Sequence, residues 1–346
     1  MEVTIKDVAK YCGVSVSTVS RCLNGYTDIS PETTKRVFDA IKILDFVPSN
    51  TARQMTKKHS GIIGLTIPDV KDSFFSESAS GAEAFFNDNG YQIFYGNMNR
   101  SAERFQRFLQ LAREMRFDGL IITPDSWDEE TLKYIRRMKI PIVSIRRRPP
   151  QSLGIPYVDN DHYKGAIKMM SYLADLGHEK IAHIILPTEI GSLRKEAYLD
   201  FCDIRKMEKR AVGCEGLANK LSEAREYGYS AMKRILKAYP DTTAVFAGTD
   251  ELAIGAMICL KEIGLSVPKD ISVCGINNVD YASLPWFDLT SMSLNRVEMG
   301  RIAAQMLLGM INGKDSFPES VLIDSDLIVR GSTTKNTKIL LKEKEK

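Results

Sequence analysis

From Gly61 onwards, short apolar segments alternate with amphipathic helical stretches, and this alternation is the strongest constraint on the fold. The first half carries the strand-like segments GIIGLTIP, YQIFYG, GLIIT and PIVSI, with helical stretches near 76–89, 101–116 and 128–138. The pattern continues with IAHIIL, TAVFAG, ISVCGI and TSMSL. Such alternation is typical of parallel sheets built from βαβ units. We predict an α/β fold with two doubly wound parallel-sheet lobes, one sheet before about residue 160 and one after it.

The first 45 residues predict three short helices instead of this alternation. Thr4 is placed to cap the first helix, and Gly13 then allows a left-handed turn. Ser15 is a good N-cap for a second helix that runs to residue 24. Ser30-Pro31 supplies a cap and a first-position proline for the third helix. The chain therefore begins with an all-α head.

The second of these helices has a polar face. Val19 and Leu23 form its buried stripe, and the residues that project away from that stripe are Val16, Ser17, Ser20 and Arg21. Two short helices at a tight glycine-containing turn are the arrangement of a helix-turn-helix, and these side chains suit base edges and phosphates. A plain three-helix cap with a solvated polar face fits the same spacing equally well. Helix spacing alone leaves both readings open.

Composition excludes some classes of protein and favours others weakly. A chain of 346 residues, 44% hydrophobic and 26% charged, fits two or three ordinary domains. Residues 1–58 hold nine Lys/Arg against six Asp/Glu, a modest excess that suits contact with phosphates without proving it. The start MEVTIKDVAK has no apolar signal region, and no stretch of 18 apolar residues could span a bilayer. We expect a cytoplasmic protein that does not bind membranes.

The sequence contains no motif that calls for chemistry. Six cysteines lack C-x-x-C spacing and four histidines lack metal-ligand grouping, so we predict reduced thiols, no metal and no cofactor. No G-x-G-x-x-G or phosphate-binding G-x-x-x-x-G-K-[ST] follows a predicted strand, which argues against an enzyme on a doubly wound sheet. A solute-binding protein, the other alternative, would need an export signal and would not carry a DNA-binding head.

Longer motifs resemble a known family along nearly the whole chain. They are TIKDVAKYCGVSVSTVSRCLNG, ISPETTKRVFDAI, VPSNTARQM, PDVKDSFFSESASGAE, LADLGHEKIAHI, TDELAIGAM, GLSVPKDISVCGINN and LIVRGST. These motifs resemble those of the lactose-repressor (LacI/GalR) family of bacterial transcription regulators. That resemblance implies a homodimeric repressor of carbohydrate-utilisation genes, a hinge that orders on operator DNA, and an effector domain similar to periplasmic sugar-binding proteins.

The resemblance also implies domain boundaries. The helix-turn-helix head is expected at residues 1–47, the hinge at 48–60, and the effector and dimerisation domain at 61–346. Within that domain, lobe one is expected at about 61–160 plus part of 291–330, and lobe two at about 161–290.

Carried over by position, Val16 and Ser17 are expected to read bases at the start of the recognition helix. Residues 49–57 match the hinge helix, in which Met55 stands where the family usually has a leucine wedged between central base pairs. Methionine is flexible and apolar, so it can still unstack a base step. The remaining predicted DNA-contacting residues are Thr4, Ser15, Thr18, Ser20, Arg21, Asn24, Asn50, Ala52 and Arg53.

The implied effector site lies in the crevice between the lobes, where ligands bind in such folds. Phe74 and Phe75 are expected to wall it, although core packing is the alternative for one of them. Arg194 is expected to bond a hydroxyl or an anion, and Asp250 and Asn277 to take ring hydroxyls. The family often has an acid at the position of Asn277, so a shared sugar pose is not implied.

A run of three arginines follows the strand PIVSI. Many relatives have an acid at the position of Arg146, so a guanidinium there, with Arg194, suits a carboxylate or phosphate. We interpret Arg147 and Arg148 as a solvated basic loop. For Arg146 the alternative is that it also turns outward, or pairs with a nearby carboxylate such as Asp159 or Asp161. The effector is thus expected to be a sugar, a sugar phosphate or a sugar acid.

Overall fold

The computed structural model describes residues 3–23, 26, 28–46, 59–70, 73–213, 223–313, 318 and 320–336 of the chain. It contains a helical head and two α/β lobes. No helix in these ranges is long and apolar enough to cross a membrane.

The head consists of three helices, α1 (Ile5–Cys12), α2 (Val16–Leu23) and α3 (Pro31–Ile43). The serine cap and first-position proline predicted for α3 are confirmed, because Ser30 Oγ accepts a hydrogen bond of 3.2 Å from the backbone N–H of Thr33. Small apolar side chains from all three helices form one core: Val8, Ala9, Cys12, Val19, Cys22, Val37 and Ala40.

The first lobe is built on a six-stranded, all-parallel sheet. In spatial order its strands are β2 (Gln92–Asn97), β1 (Ile62–Ile67), β3 (Gly119–Ile122), β4 (Ile142–Ile145), β5 (Tyr157–Asn160) and β11 (Ser320–Ile323). Its helices are α4 (Ser73–Asp88), α5 (Ala102–Glu114), α6 (Glu129–Ile135) and α11 (Arg296–Ile311). α4 and α11 cover one face of the sheet, and α5 and α6 cover the other, as a doubly wound sheet requires.

The second lobe repeats this plan with one difference. Its strands, in spatial order, are β7 (Arg210–Gly213), β6 (Ile181–Ile185), β8 (Ala244–Ala247), β9 (Ser272–Asn277), β10 (Thr290–Ser293) and β12 (Asp326–Ile328). Its helices are α7 (His162–Asp175), α8 (Glu189–Arg205), α9 (Ala224–Ala238) and α10 (Asp250–Glu262). β12 is antiparallel to β10, so this parallel sheet carries one antiparallel strand at its edge.

The chain crosses between the lobes after β5, after β10 and after β11, and the three crossings are hydrogen-bonded to one another. The side-chain amide of Asn160 donates to the carbonyl of Leu294 at 2.9 Å and to that of Ile323 at 3.3 Å. The amide of Asn295 donates to the carbonyl of Asp324 at 3.1 Å. The crossings therefore lie side by side and form one connected strip of backbone.

Two pairs of helices approach so closely that only glycine fits between them. A Cβ on Gly81 of α4 would lie 2.0 Å from the carbonyl oxygen of Val297, and one on Gly300 of α11 would lie 1.8 Å from that of Ser78. Gly255 of α10 is in the same position against α9, where a Cβ would lie 1.9 Å from the Arg225 carbonyl oxygen. These contacts fix the helices that carry several residues of the inter-lobe site.

Candidate DNA-reading head and inter-lobe site

Local capping sets the geometry of the turn between α1 and α2. The Thr4 N–H and hydroxyl both donate to the Asp7 carboxylate, at 2.9 and 2.7 Å, which fixes the start of α1. Gly13 has a φ of 64°, the left-handed conformation that glycine adopts without strain. Ser15 Oγ accepts a bond of 3.1 Å from the Thr18 N–H, which starts α2 at Val16. The turn predicted from the sequence is therefore present.

The recognition face of α2 is open to solvent at its beginning. Val16 is 40% exposed and Ser17 is exposed, whereas Val19 is completely buried. Arg21 is exposed but is already engaged, because it pairs with Asp28 and its guanidinium lies 5.3 Å from the ring centroid of Tyr26. A DNA phosphate that binds Arg21 must therefore compete with Asp28. The predicted residues Asn24, Asn50, Ala52, Arg53 and Met55 lie outside the described residues.

The second site is formed where the carboxyl ends of the two sheets face each other. Arg146 directly follows β4 and Asp159 lies in β5, both in the first lobe. Arg194 comes from α8 and Asp250 from the start of α10, both in the second lobe. His162 begins α7, the helix that follows the first crossing. Because ligands of doubly wound sheets bind beyond the carboxyl ends of strands, this is the expected position for an effector.

Arg194 is the most unusual residue of this site because its guanidinium is buried, with only 1% of the residue exposed. Nη1 donates to the carbonyl of Gly248 at 2.5 Å, and Nη2 donates to Nδ1 of His162 at 3.3 Å. Nε is buried and has no hydrogen-bond partner among the described residues. Burial, followed by the positive charge of Arg146, lowers the pKa of Arg194 to about 9, which still leaves it charged at neutral pH.

The contacts of His162 define its protonation state. Nε2 lies 3.1 Å from Oδ1 of Asp159, and Nδ1 faces a guanidinium that can only donate. The ring must therefore carry its proton on Nε2 and accept at Nδ1. Burial lowers the pKa of His162 to about 4, so it is neutral at pH 7. Asp159, His162, Arg194 and Gly248 form a continuous hydrogen-bonded chain from the first lobe to the second.

The three consecutive arginines, 146–148, contact different partners. The guanidinium of Arg146 lies 5.4 Å from the ring centroid of Phe75, in a cation–π contact. Arg148 Nε lies 3.4 Å from Oδ2 of buried Asp159, so the interpretation of Arg148 as a solvated loop residue is wrong. Arg147 is within 4.0 Å of Glu189. The carboxylate attracts Arg148 because it is itself removed from water and needs a counter-charge.

Of the two phenylalanines expected to wall the site, the structure describes the side chain of one. Phe75 is 8% exposed and belongs to the main core, while its ring lies beneath Arg146. Phe74 lies in α4, and its side chain is outside the described part of the structure.

Asp250 is used inside its own lobe. It has no exposed surface, and its two carboxylate oxygens accept bonds from Ser291 Oγ at 2.6 Å and from the Val279 N–H at 2.9 Å. Burial raises the pKa of Asp250 to about 6, although these hydrogen bonds act in the opposite direction. Through these two bonds Asp250 holds β10 and the segment after β9 together. Its contact with an effector stays a prediction.

Asn277 takes part in a bridge between the lobes. Arg296, at the start of α11, donates to Glu77 of α4 at 2.5 Å and also to the backbone carbonyl of Asn277. Asn277 has a φ of 121°, a conformation that is strained for a residue with a side chain, and its Oδ1 is buried without a partner among the described residues. The carbonyl and the amide oxygen of Asn277 therefore face different environments at the lobe boundary.

Sequence reasoning did not propose His162 or Arg296 as members of the site. Both lie just beyond the carboxyl end of a strand, in VDNDH and in TSMSLNR, and that position is the signal that could have found them. Asp159 was considered only as a partner for Arg146.

The comparison with known proteins identifies both parts. Residues 4–49 match the model of bacterial regulatory proteins of the lacI family, and residues 170–333 match that of the periplasmic binding protein-like domain. A regulator from Clostridium acetobutylicum, HTH-type transcriptional regulator RegA, is 30% identical over 96% of this chain and 99% of its own length. The chain belongs to the lacI family.

Two solved structures match nearly the full length of the chain in fold. A Lac repressor dimer bound to operator and the anti-inducer ONPF matches with a TM-score of 0.83 at 23% identity, covering 96% of this chain and 100% of that one. A complex of the transcriptional regulator CelR with cellobiose matches with a TM-score of 0.69 at 25% identity, with the same coverage. The lacI-family protein is therefore a DNA-binding transcription regulator with a periplasmic-binding-protein-like domain, and its relatives are regulators rather than enzymes, as the sequence predicted.

Proposed function

We propose that this regulator is a cytoplasmic homodimeric repressor of carbohydrate-utilisation genes, and that an anionic sugar derivative bound between its lobes controls operator binding. The proposal assigns operator reading to a head at residues 1–47, which a hinge at 48–60 joins to an effector and dimerisation domain at 61–346. CelR, a structural relative, is described as a cellobiose complex, which supports a sugar-like effector.

The buried guanidinium of Arg194 is the observation that carries the anionic part of this proposal. The hydrogen bonds that Arg194 makes with the described residues go to neutral acceptors, the Gly248 carbonyl and the His162 ring. A buried charge without a counter-charge is costly, and an anion with a charge-assisted hydrogen bond offsets that cost. The carboxylates whose charges favour the charged form of Arg194 already accept hydrogen bonds from other residues, and they are Asp159, Asp250 and Glu251. A sugar phosphate or sugar acid would supply the missing charge.

Exposed apolar side chains support the homodimer. On the second lobe, Trp286 is 83% exposed and contacts Lys261 of α10. Ile258 on the same helix and Leu284 in the same loop as Trp286 are 38% and 47% exposed. An apolar surface of this kind at the rim of a lobe is typical of a protein interface.

Ligand binding to the full-length protein tests the effector class. We expect glucose 6-phosphate or 6-phosphogluconate to raise the melting temperature, and glucose to have no effect at the same concentration. The Arg146→Ala variant should lose most of this shift, because one of the two guanidiniums around the anion is removed. The same ligand should change the affinity for DNA of the protein's own promoter region, measured by fluorescence anisotropy.

Arg210 provides a matched control for this experiment. It is also buried, but it is bound by Glu208 and Asp241 in the second lobe. Arg210→Gln should lower the melting temperature of the unliganded protein and leave the ligand-induced shift unchanged. Tight calorimetric binding of an uncharged sugar that is insensitive to Arg146→Ala would contradict an anionic effector.

A further inference from the structure

In the hydrogen-bonded chain between the lobes, the guanidinium of Arg194 needs acceptor atoms, and His162 provides one of them. Arg194 is surrounded by groups that must accept, because a guanidinium has five N–H donors and no acceptor. On one side it has the carbonyl of Gly248, which belongs to the backbone and is fixed. On the other side it has a histidine ring, whose nitrogen accepts only in one tautomer.

The carboxylate of Asp159 selects that tautomer together with Arg194. Oδ1 of Asp159 accepts from the His162 ring at 3.1 Å and from the Asn160 N–H at 2.8 Å, and it is 2% exposed. Its other oxygen is held by Arg148. Asp159 is thus fixed from three sides, and it holds the ring of His162 in one plane with Nδ1 directed at Arg194.

We propose that His162, held by Asp159, is the positioning residue for the guanidinium of Arg194 in the effector site. This inference rests on the proposed effector site, and it adds two residues that the sequence did not assign to it. His162 fixes Nη2 while Gly248 fixes Nη1, so Nε and the remaining N–H groups keep a fixed direction. Because the ring is uncharged, it fixes the arginine without neutralising the charge that an anion would meet.

A second buried histidine gives an internal standard for the tautomer. His183 lies on β6, and its Nδ1 is 2.8 Å from the carbonyl oxygen of Phe246, so its proton must be on Nδ1. The two rings are therefore expected to be opposite tautomers in one protein. Long-range ¹H–¹⁵N spectra of full-length protein labelled with ¹⁵N-histidine distinguish the two forms. A charged or Nδ1–H ring at position 162 at pH 7 would overturn the proposal.

The guanidinium itself can be observed without any ligand. In ¹⁵N-arginine-labelled protein, separate and slowly exchanging Nη resonances are expected for Arg194, because both nitrogens are held. His162→Ala should average these resonances and accelerate exchange of the Nη2 protons about tenfold or more, as expected when a hydrogen bond to a charged group is lost. His162→Asn, which again offers an acceptor oxygen near the position of Nδ1, should restore most of the protection.

His178 separates positioning from simple stability. It is also buried and bonded through both ring nitrogens, to Thr243 at 3.0 Å and to the Thr334 carbonyl at 3.0 Å, on the far side of the second lobe. His178→Ala should lower the melting temperature and leave the Arg194 resonances unchanged. If His162→Ala leaves the Arg194 resonances unaltered, or His178→Ala alters them equally, His162 is not a positioning residue.

Titration with inorganic phosphate distinguishes this proposal from the one on which it rests. We expect wild-type affinity for phosphate to fall about tenfold in His162→Ala, in line with the loss of one charge-assisted bond. If wild-type protein binds neither phosphate nor sugar phosphates, the anionic effector is wrong, while the arginine spectra still decide the role of His162. If phosphate binds and His162→Ala binds it equally well, the positioning role is wrong.

Discussion

Three histidines, His162, His178 and His183, are buried, and burial lowers the pKa of each. His183 is the most enclosed, since its ring stacks between Tyr198 and Phe246 with centroid distances of 5.1 and 4.7 Å. A histidine that stays neutral in the folded protein takes up its proton on unfolding. At the residue scale, these buried rings therefore contribute to the pH dependence of the free energy of unfolding.

We predict that His183→Phe makes stability less dependent on pH. The pKa of His183 is lowered from 6.5 to about 4, so its contribution to the free energy of unfolding is complete above pH 6.5 and is lost as the pH falls towards 4. Phenylalanine keeps the ring stacking and removes the titrating group. Urea denaturation at pH 7 and pH 5 should show that unfolding takes up about one proton fewer in the variant. Equal pH dependence in the two proteins would contradict the burial argument.

The recognition helix gives a second prediction at this scale. Arg21→Ala should weaken operator binding and reduce the salt dependence by about one counterion, if Arg21 exchanges Asp28 for a phosphate. Ser17→Ala should instead change which half-site sequence is preferred, because exposed Ser17 lies where α2 begins. Fluorescence anisotropy at several salt concentrations measures both effects. Arg205→Ala, on α8 of the second lobe, is the control, and unchanged binding in all three variants would sink the assignment.

At the scale of helices and strands, capping residues and apolar runs in the sequence correctly predicted helix starts and central strands. Ser15 and Ser30 cap α2 and α3 as expected, and long apolar runs such as GIIGLTIP form central strands. The strand Tyr157–Asn160 was not predicted, because half of its short sequence is polar and belongs to the site. The ion pair between Arg296 and Glu77 joins residues far apart in the chain, so only the tertiary fold decides it. For this reason the site could be located from sequence, but its internal bonds could not.

The close contact of α4 with α11 gives a prediction at the element scale. Gly300→Ala places a methyl group against the Ser78 carbonyl and forces the helices apart, at a cost of about 1–3 kcal/mol of unfolding free energy. Since α4 carries Glu77 and α11 carries Arg296, the ion pair between these two first-lobe helices should weaken as well. Thermal denaturation measures the loss. Gly213→Ala, at a position with no atom within 4 Å of the added methyl group, is the matched control and should remain near wild type.

At the scale of the whole molecule, the proposed homodimer links DNA binding by the head to association of the lobes. In the proposed homodimer, two heads related by two-fold symmetry would read a pseudo-palindromic operator, and a monomer that reads one half-site would lose most of the affinity. The exposed side chains around Trp286 would then have a direct effect on repression, although they are far from the recognition helix in sequence.

We predict that Trp286→Glu lowers operator affinity by weakening the dimer. A carboxylate in an apolar interface must be desolvated, which disfavours association. Sedimentation equilibrium should show more monomer, and operator affinity should fall in parallel while thermal stability of the lobe is kept. Ile204 lies on α8 and is 77% exposed, so Ile204→Glu is the control for adding a negative charge to the surface. A dimer constant equal to that of the wild type would place the interface elsewhere.

The three hydrogen-bonded crossings have a mechanical consequence. Two rigid bodies tied at one point can rotate in three ways, but bodies tied along a line retain one easy rotation about that line. The bonds from Asn160 to Leu294 and Ile323 keep the crossings adjacent during such a rotation. Under the proposed function, a ligand held between the lobes would act by setting the opening angle about this line. An inducer and a co-repressor would then be able to bind the same place and differ in the opening angle that each favours.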